Sequence, residues 1–441
     1  RELLGERTYL SGVDRLLPCQ LLRWSPSSIS VLTESTLGDY VSQRSARRVD
    51  GSSVEDYFSA LQGVMRLHLR GNEGAYASAL SGGIDSSLLV ATINSLSSVG
   101  KRSPAYSYAV QTPSFQYEIE YAQDAAEALN AEHHVVNVTP SDFPNLLSEG
   151  TQLLGMPVRD DARPSHFALL RHLAEHAPET NIVFNGTLTL PDELHWIQGD
   201  KYRHVPIWLL KVLGWLLVPF SATKAYGAQT AAETLRWKRN LHGEQHYLNS
   251  YSLYTDWALM ERVFSAEKIS SEFERKRSLL KRYSETDLMM EAVHLIGMLT
   301  TASNQADDMS QMGHWFGAEI VYPYAEDEII RQIFALNPID RYAFGHESKP
   351  VMRAALASQA TVRSNSQPKG WSGPGEDLME WMRTGSLREL VRSIERPGFL
   401  PRQDFQKKLE DPDWFTWSML TLDLFKKHVL SPAAHRRLRS N

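Results

Sequence analysis

The sequence predicts an α/β chain: a doubly wound parallel sheet followed by an α-helical carboxy-terminal lobe. Three features carry that expectation. Short apolar runs alternate with helix-period segments between residues 51 and 200. One run, Ala77-Ser78-Ala79-Leu80, breaks into Ser81-Gly82-Gly83 and re-forms as the helix-like Ile84-Asp85-Ser86-Ser87-Leu88-Leu89-Val90. From Pro206 to about Thr300 the texture changes to long helix-like segments rich in Trp, Leu and Tyr, including Tyr247 to Val263 and Glu285 to Met298.

In chain order, residues 1–50 read as strands and turns, with a turn at Gly12 to Pro18 and a strand at Cys19 to Trp24. They are too few for an independent core. Val54 to Leu69 has helical spacing, with Tyr57, Leu61, Val64 and Leu67 on one side. After the Ser-Gly-Gly turn, Leu88 to Leu96 continues a helix, Pro104 marks a turn and Ala105 to Val110 is a strand, completing a βαβ unit. Glu118 to Leu129 is a helix with Tyr121, Ala125 and Leu129 inward, and Glu132 to Val138 is the next strand. His133 and His134 are strand neighbours that point to opposite faces, so they are architecture rather than a shared metal site. Asp160 and Asp161 precede a helix from Phe167 to His176, where a carboxylate caps readily. A buried strand, Asn181 to Phe184, then runs through Asn185-Gly186-Thr187-Leu188-Thr189-Leu190-Pro191 into the acidic pair Asp192-Glu193. Such alternation places a ligand at the carboxy-terminal ends of the strands.

Composition narrows the partners. The chain has 441 residues, enough for two to three domains. Its 46 Lys and Arg against 52 Asp and Glu, net -6, argue against nucleic acid. One cysteine, Cys19, excludes an internal disulfide framework and fits a reducing, cytoplasmic setting. The run Pro206 to Phe220 is too short to span a bilayer and carries Lys211, so a buried helix is expected, with a peptide-binding or partner surface and an interfacial helix as the alternatives.

The Ser81 to Ser87 turn carries the chemistry. Its glycines permit positive φ and close backbone approach, its serines add hydroxyls, and the following helix aims its positive dipole end at the loop. A bare phosphate would be repelled by Asp85, so a divalent cation bridging the two is expected: the loop predicts a nucleotide with Mg²⁺. It lacks the Gly-Lys-Ser ending of a Walker A loop.

The string Ser-Gly-Gly-Ile-Asp-Ser-Ser after a strand resembles the PP-loop of ATP pyrophosphatases of the adenine nucleotide alpha-hydrolase-like fold, specifically the asparagine synthetase and β-lactam synthetase branch. The resemblance runs in order from about Ser52 to the carboxy terminus. It implies an ATP and Mg²⁺ site formed by Leu80, Ser81, Gly82, Gly83, Asp85, Ser86, Ser87 and Gly186, with Asp85 and Asp192 on the metal. It implies catalytic roles for Lys369, countering charge at the α-phosphate, and Glu319, handling the amine. Weaker site expectations attach to Asp160, Glu120 and Arg363. By the same likeness, residues 1–50 are the closing segment of an incomplete amino-terminal glutaminase-like domain, 51–200 the nucleotide-binding core and 201–441 the helical lobe. There are departures. The Asp192 loop is longer and lacks its later glycine, Thr189 stands where β-lactam synthetases have Tyr, and Asp308 stands where relatives have Arg.

The implied reaction is attack of a substrate carboxylate on the α-phosphorus of ATP, departure of pyrophosphate, and amide formation with an amine. The altered Asp loop and the apolar insertion look similar to lasso-peptide macrolactam synthetases, which implies a precursor-peptide substrate and leader-peptide-binding or protease partners. An asparagine or β-lactam synthetase is the alternative enzyme reading. A nucleotide-binding scaffold subunit without turnover is the alternative from another class.

Overall fold

The structure is a computed structural model, and the description covers residues 6–17, 20–33, 47–72, 74–97, 102–189, 209, 212, 259, 262–283, 303–336, 349–367, 369 and 374–431. It divides into two compact units. One comprises residues 1–2, 43–189 and 302–441, the other residues 3–42 and 190–301. Residues 302–441 belong to the same unit as the sheet.

The smaller unit contains an antiparallel hairpin of β1 (Gln20–Ser25) and β2 (Ser28–Thr33), in register from Gln20 opposite Thr33 to Ser25 opposite Ser28. Cys19 and Asp192 lie outside the described residues, as do Tyr247 to Val263 apart from Leu259, Arg262 and Val263, and Glu285 to Met298. Of the apolar run Pro206 to Phe220, only Leu209 and Val212 are described. No described helix is long and apolar enough to cross a membrane.

The larger unit opens with α1 (Gly51–Leu69), started by a capping box in which Asp50 accepts from Ser53 N–H and the Ser53 hydroxyl lies on the Asp50 backbone. Its buried stripe is Tyr57, Leu61, Val64 and Met65, whereas Leu67 is exposed. The i, i+4, i+7, i+8 spacing from Tyr57 selects Met65 and rotates Leu67 toward water, which corrects the sequence expectation.

Then follow β3 (Tyr76–Ala79), α2 (Ile84–Leu96), β4 (Pro104–Val110), α3 (Gln116–Ala128), β5 (Glu132–Val138), α4 (Phe143–Leu154), α5 (Arg163–His176) and β6 (Ile182–Phe184). After α6 (Ala266–Tyr283) of the smaller unit come α7 (Ser303–Trp315), β7 (Glu319–Val321) and α8 (Asp327–Phe334). A series of helices ends the described chain, beginning with α9 (Pro350–Gln359) and the short α10 (Arg363–Ser366). Each expected strand from β3 to β6 is present, and β7 joins them.

The five strands pair in the order β5-β4-β3-β6-β7, all parallel. Strands β3 and β4 carry small or aromatic residues, such as Ala77, Ser78, Ala105 and Tyr106, that are buried, as expected of a parallel sheet covered on both faces. Helix α2 is almost wholly buried, including Leu88, Leu89, Val90 and Ile93. The strand order reverses between β3 and β6, so this doubly wound sheet opens its ligand crevice at the carboxy-terminal ends of those two strands.

Candidate active site

The loop after β3 and the loop after β6 meet at that switch point. Gly82 has φ +74°, and a Cβ there would stand 2.1 Å from the Tyr121 carbonyl oxygen. Only glycine combines that conformation with so close an approach to α3. Gly186 is constrained by space alone: a Cβ would lie 2.9 Å from Ser86 N and 3.1 Å from the Asp85 carbonyl carbon. The expected loop residues Leu80, Ser81, Gly82, Gly83, Asp85, Ser86 and Ser87 are thus brought together with Gly186. Inside the turn, Ser81 N–H donates to Ser86 Oγ (3.1 Å), and the Ser81 and Ser86 hydroxyls are 3.2 Å apart. The Ser87 hydroxyl is fully buried and has no hydrogen-bond partner among the described residues. Gly83 is the N-cap of α2 and makes no side-chain cap bond, which leaves the first amides of the helix facing the loop.

Asp85 projects from the first turn of α2. Both of its oxygens accept from Lys349 Nζ, at 2.7 and 2.9 Å, and the same ammonium lies 3.3 Å from Thr189 Oγ1. The pair is mostly shielded, with side chains 17% and 27% exposed for Lys349 and Asp85. The Asp85 backbone is held by the Tyr324 hydroxyl, which donates to its carbonyl at 2.7 Å. Burial pushes the Tyr324 phenol well above its ordinary pKa, with Tyr57 and Asp85 adding to the effect, so it stays protonated and donating.

Sequence reasoning missed Lys349 and Tyr324. A signal for Lys349 existed. The residue sits immediately before Pro350, at the amino terminus of α9, where a cation opposes the helix dipole. Its backbone is left-handed, φ +53°, a conformation that a non-glycine residue adopts at a cost. A cation in so unfavourable a place needs an anion to hold it, and Asp85 is that anion.

Lys369 is placed differently from the expectation. Its ammonium pairs with Glu118 on α3, both side chains being 8% exposed, while the ammonium on Asp85 belongs to Lys349. Glu118 at the start of α3 is buried with it, so the pair ties the loop after α10 to the helix that backs Gly82. Glu319 is also not brought to the loop. It opens β7 opposite Ile182, the first residue of β6, whereas the phosphate loop follows strand ends. In a parallel sheet the two ends of a strand face opposite sides, so the residue delivered to the site from this segment is Tyr324, beyond the end of β7.

The residues of the weaker expectations are held by local contacts. Asp160 caps α5, its Oδ1 accepting from the N–H groups of Ala162 and Arg163, and pairs with Arg163 at 2.9 Å. Arg363 stacks on Tyr121 and lies 3.3 Å from Asp124 and 3.8 Å from Glu120, on the outer face of α3. Asp308 on α7 is buried between Arg159 (3.6 Å) and Arg163 (3.5 Å), so the cation that relatives carry at this position is replaced here by two arginines from the α5 side. Burial pushes the Asp308 carboxyl up to about 6, with the arginines partly opposing.

Oxygen donors suit a hard cation such as Mg²⁺, and the Asp85 carboxylate is such a donor, its oxygens paired here with the Lys349 ammonium. Among the described residues no group of three or more His, Cys, Asp or Glu forms a metal cluster, and Asp192 is not described. The phosphate side fits too: a glycine-bound turn, a helix amino terminus and an unpaired buried serine make an anion cradle.

Fold and loop together define an adenine nucleotide alpha-hydrolase-like α/β domain. Its family is more specific than that. The profile of the Asparagine synthase family matches residues 58–413, most of the chain, and the protein belongs to that family, whose chemistry is ATP-dependent amide formation. No curated protein matches the sequence.

Proposed function

We propose that this protein is an ATP-dependent carbon-nitrogen ligase that activates a carboxylate at the α-phosphorus of ATP, releases pyrophosphate and joins the acyl group to an amine. One observation supports the reading above others: at the switch point, an intact phosphate loop presents Asp85 bound through both oxygens to Lys349, whose ammonium also reaches Thr189. The loop amides and the hydroxyls of Ser81, Ser86 and Ser87 bind the phosphates and hold them still. Lys349 is the cation best placed to offset charge that builds as pyrophosphate leaves, and Thr189 steadies its ammonium. Asp85 would hold Mg²⁺, which supplies further charge neutralisation at the phosphates. Tyr324 fixes the Asp85 backbone, so the carboxylate is aimed before substrate arrives.

The substrate pair we favour is a precursor peptide that supplies both carboxylate and amine, giving a macrolactam. What supports it is the altered substrate side beside an unaltered loop: Thr189, not Tyr, approaches Lys349, and Asp308 inverts the expected charge. A single cysteine and dependence on ATP fit a cytoplasmic enzyme. An asparagine or β-lactam synthetase is the second enzyme reading, favoured by the family match itself. The test is an intact-mass scan of candidate peptides incubated with the protein, ATP and Mg²⁺. Loss of one water with AMP formation identifies a cyclase, and incorporation of free ammonia identifies the second reading. ATP binding without pyrophosphate release from any carboxylate overturns both in favour of a scaffold subunit.

A further inference from the structure

Leu80 is where the chain leaves β3 for the phosphate loop. Its N–H still donates to the Tyr106 carbonyl at 2.8 Å, as a ladder residue would. Its carbonyl instead accepts from a side chain, the Ser107 hydroxyl, at 2.5 Å. The Ser107 oxygen in turn lies 2.7 Å from His133 Nε2. A serine hydroxyl has one proton to give. Ser107 commits that proton to Leu80, so His133 Nε2–H is the donor in the second bond. Burial holds the His133 imidazole below its ordinary pKa, with His134 adding to the effect, so the donor at neutral pH is the uncharged Nε2–H form.

The relay crosses three adjacent strands, from β5 through β4 to the end of β3. Ser107 is itself buried, on a strand where Ala105, Tyr106, Ala109 and Val110 are buried and Tyr108 partly so, and in such surroundings a hydroxyl costs free energy unless it is used. Its use follows from peptide geometry. The Leu80 carbonyl and the Ser81 N–H belong to one planar trans unit and point in opposite directions. Clamping the carbonyl from behind therefore aims Ser81 N–H forward, where Ser86 Oγ receives it at 3.1 Å and where the serine cluster of the loop is assembled.

We propose that Ser107 and His133 are positioning residues for the phosphate loop: the relay from His133 through Ser107 to the Leu80 carbonyl sets the orientation of the loop's first peptide, and with it the affinity for a nucleoside triphosphate. The proposal rests on the reading of this loop as the nucleotide site. Neither residue touches the reacting atoms, so their effect is on binding geometry.

The test is calorimetric titration of the full chain with ATP and Mg²⁺, alongside hydrogen exchange of the loop amides. Ser107→Ala weakens ATP binding roughly tenfold, and Ser107→Thr, which keeps the hydroxyl, restores it. His133→Phe weakens binding as well, while His133→Gln, which keeps an N–H donor, does so less. In Ser107→Ala the amides of Ser81 and Gly82 exchange faster and those of α1 do not. In turnover the loss falls on KM for ATP rather than on kcat. If Ser107→Ala does not fold, the comparison of His133→Phe with His133→Gln decides. Wild-type protein that binds no ATP overturns the reading of the loop itself. Wild-type binding that both Ser107→Ala and His133→Phe leave unchanged, or that Ser107→Thr fails to restore, overturns the relay alone.

Discussion

Replacing Asp308 by Asn tests the buried charge cluster quantitatively. In the folded protein, burial raises the Asp308 carboxyl from the ordinary 3.8 to about 6, the adjacent arginines notwithstanding. Between those two values the folded chain holds a proton that the unfolded chain has released, so stability falls as pH rises through the window. Two units correspond to about 3 kcal/mol of stability lost between pH 4 and pH 7. Asp308→Asn keeps the side-chain shape and has nothing to ionise. The variant also takes one carboxylate away from Arg159 and Arg163, of which Arg163 keeps Asp160, but both arginines stay charged throughout, so that cost does not vary with pH. The wild-type profile alone is a poor reporter. Burial, reinforced by Arg163, lowers the nearby His166 to about 3, so the unfolded chain takes up a proton there first and stability falls as pH drops below 6.5. The two slopes oppose each other across the same range. The measurement is therefore the difference between urea-unfolding free energies of wild type and Asp308→Asn at intervals from pH 4 to pH 7. Wild type should lose about 3 kcal/mol relative to the variant as pH rises. Parallel profiles would refute the placement of an ionising carboxyl between α5 and α7.

Other expected outcomes follow from the site. Lys349→Met lowers ATP-dependent pyrophosphate release by roughly 10²- to 10³-fold, the usual loss for one electrostatic stabiliser; an unchanged rate in a steady-state assay removes Lys349 from the reaction. Gly82→Ala puts a Cβ 2.1 Å from the Tyr121 carbonyl at φ +74°, so thermal unfolding should show a loss of about 2 kcal/mol or more, and ATP binding should fall with it. Tyr324→Phe removes the donor to the Asp85 carbonyl and costs about 1 kcal/mol in chemical denaturation, with weaker ATP binding as the companion readout. Stability equal to wild type in that variant would show that the bond does not hold the loop.

Much of the fold was legible because local signals agreed. The alternation of strand and helix periods from Tyr76 to Phe184 predicts the parallel sheet, and the glycine positions predict the tight turn after β3. The loop's chemistry was legible for the same reason, since Ser81 to Ser87 are contiguous and their residue types admit few uses. The lysine was not. Lys349 and Lys369 are both lysines beside proline; the helix start at Pro350 marks Lys349 as unusual, but which of the two meets Asp85 and which Glu118 is set by packing. Glu319 opens β7 opposite the first residue of β6, and that register is set by the pairing of the strands rather than by the local sequence.

The sequence by itself determined the parallel sheet and the anion-binding turn, because propensity, periodicity and glycine conformation act over a few residues. Only the tertiary structure decided which side chains complete the site. Lys349, Tyr324 and the His133 to Ser107 relay reach the loop across long stretches of chain, and a partner at that distance is chosen by strand order and packing, which no local pattern encodes.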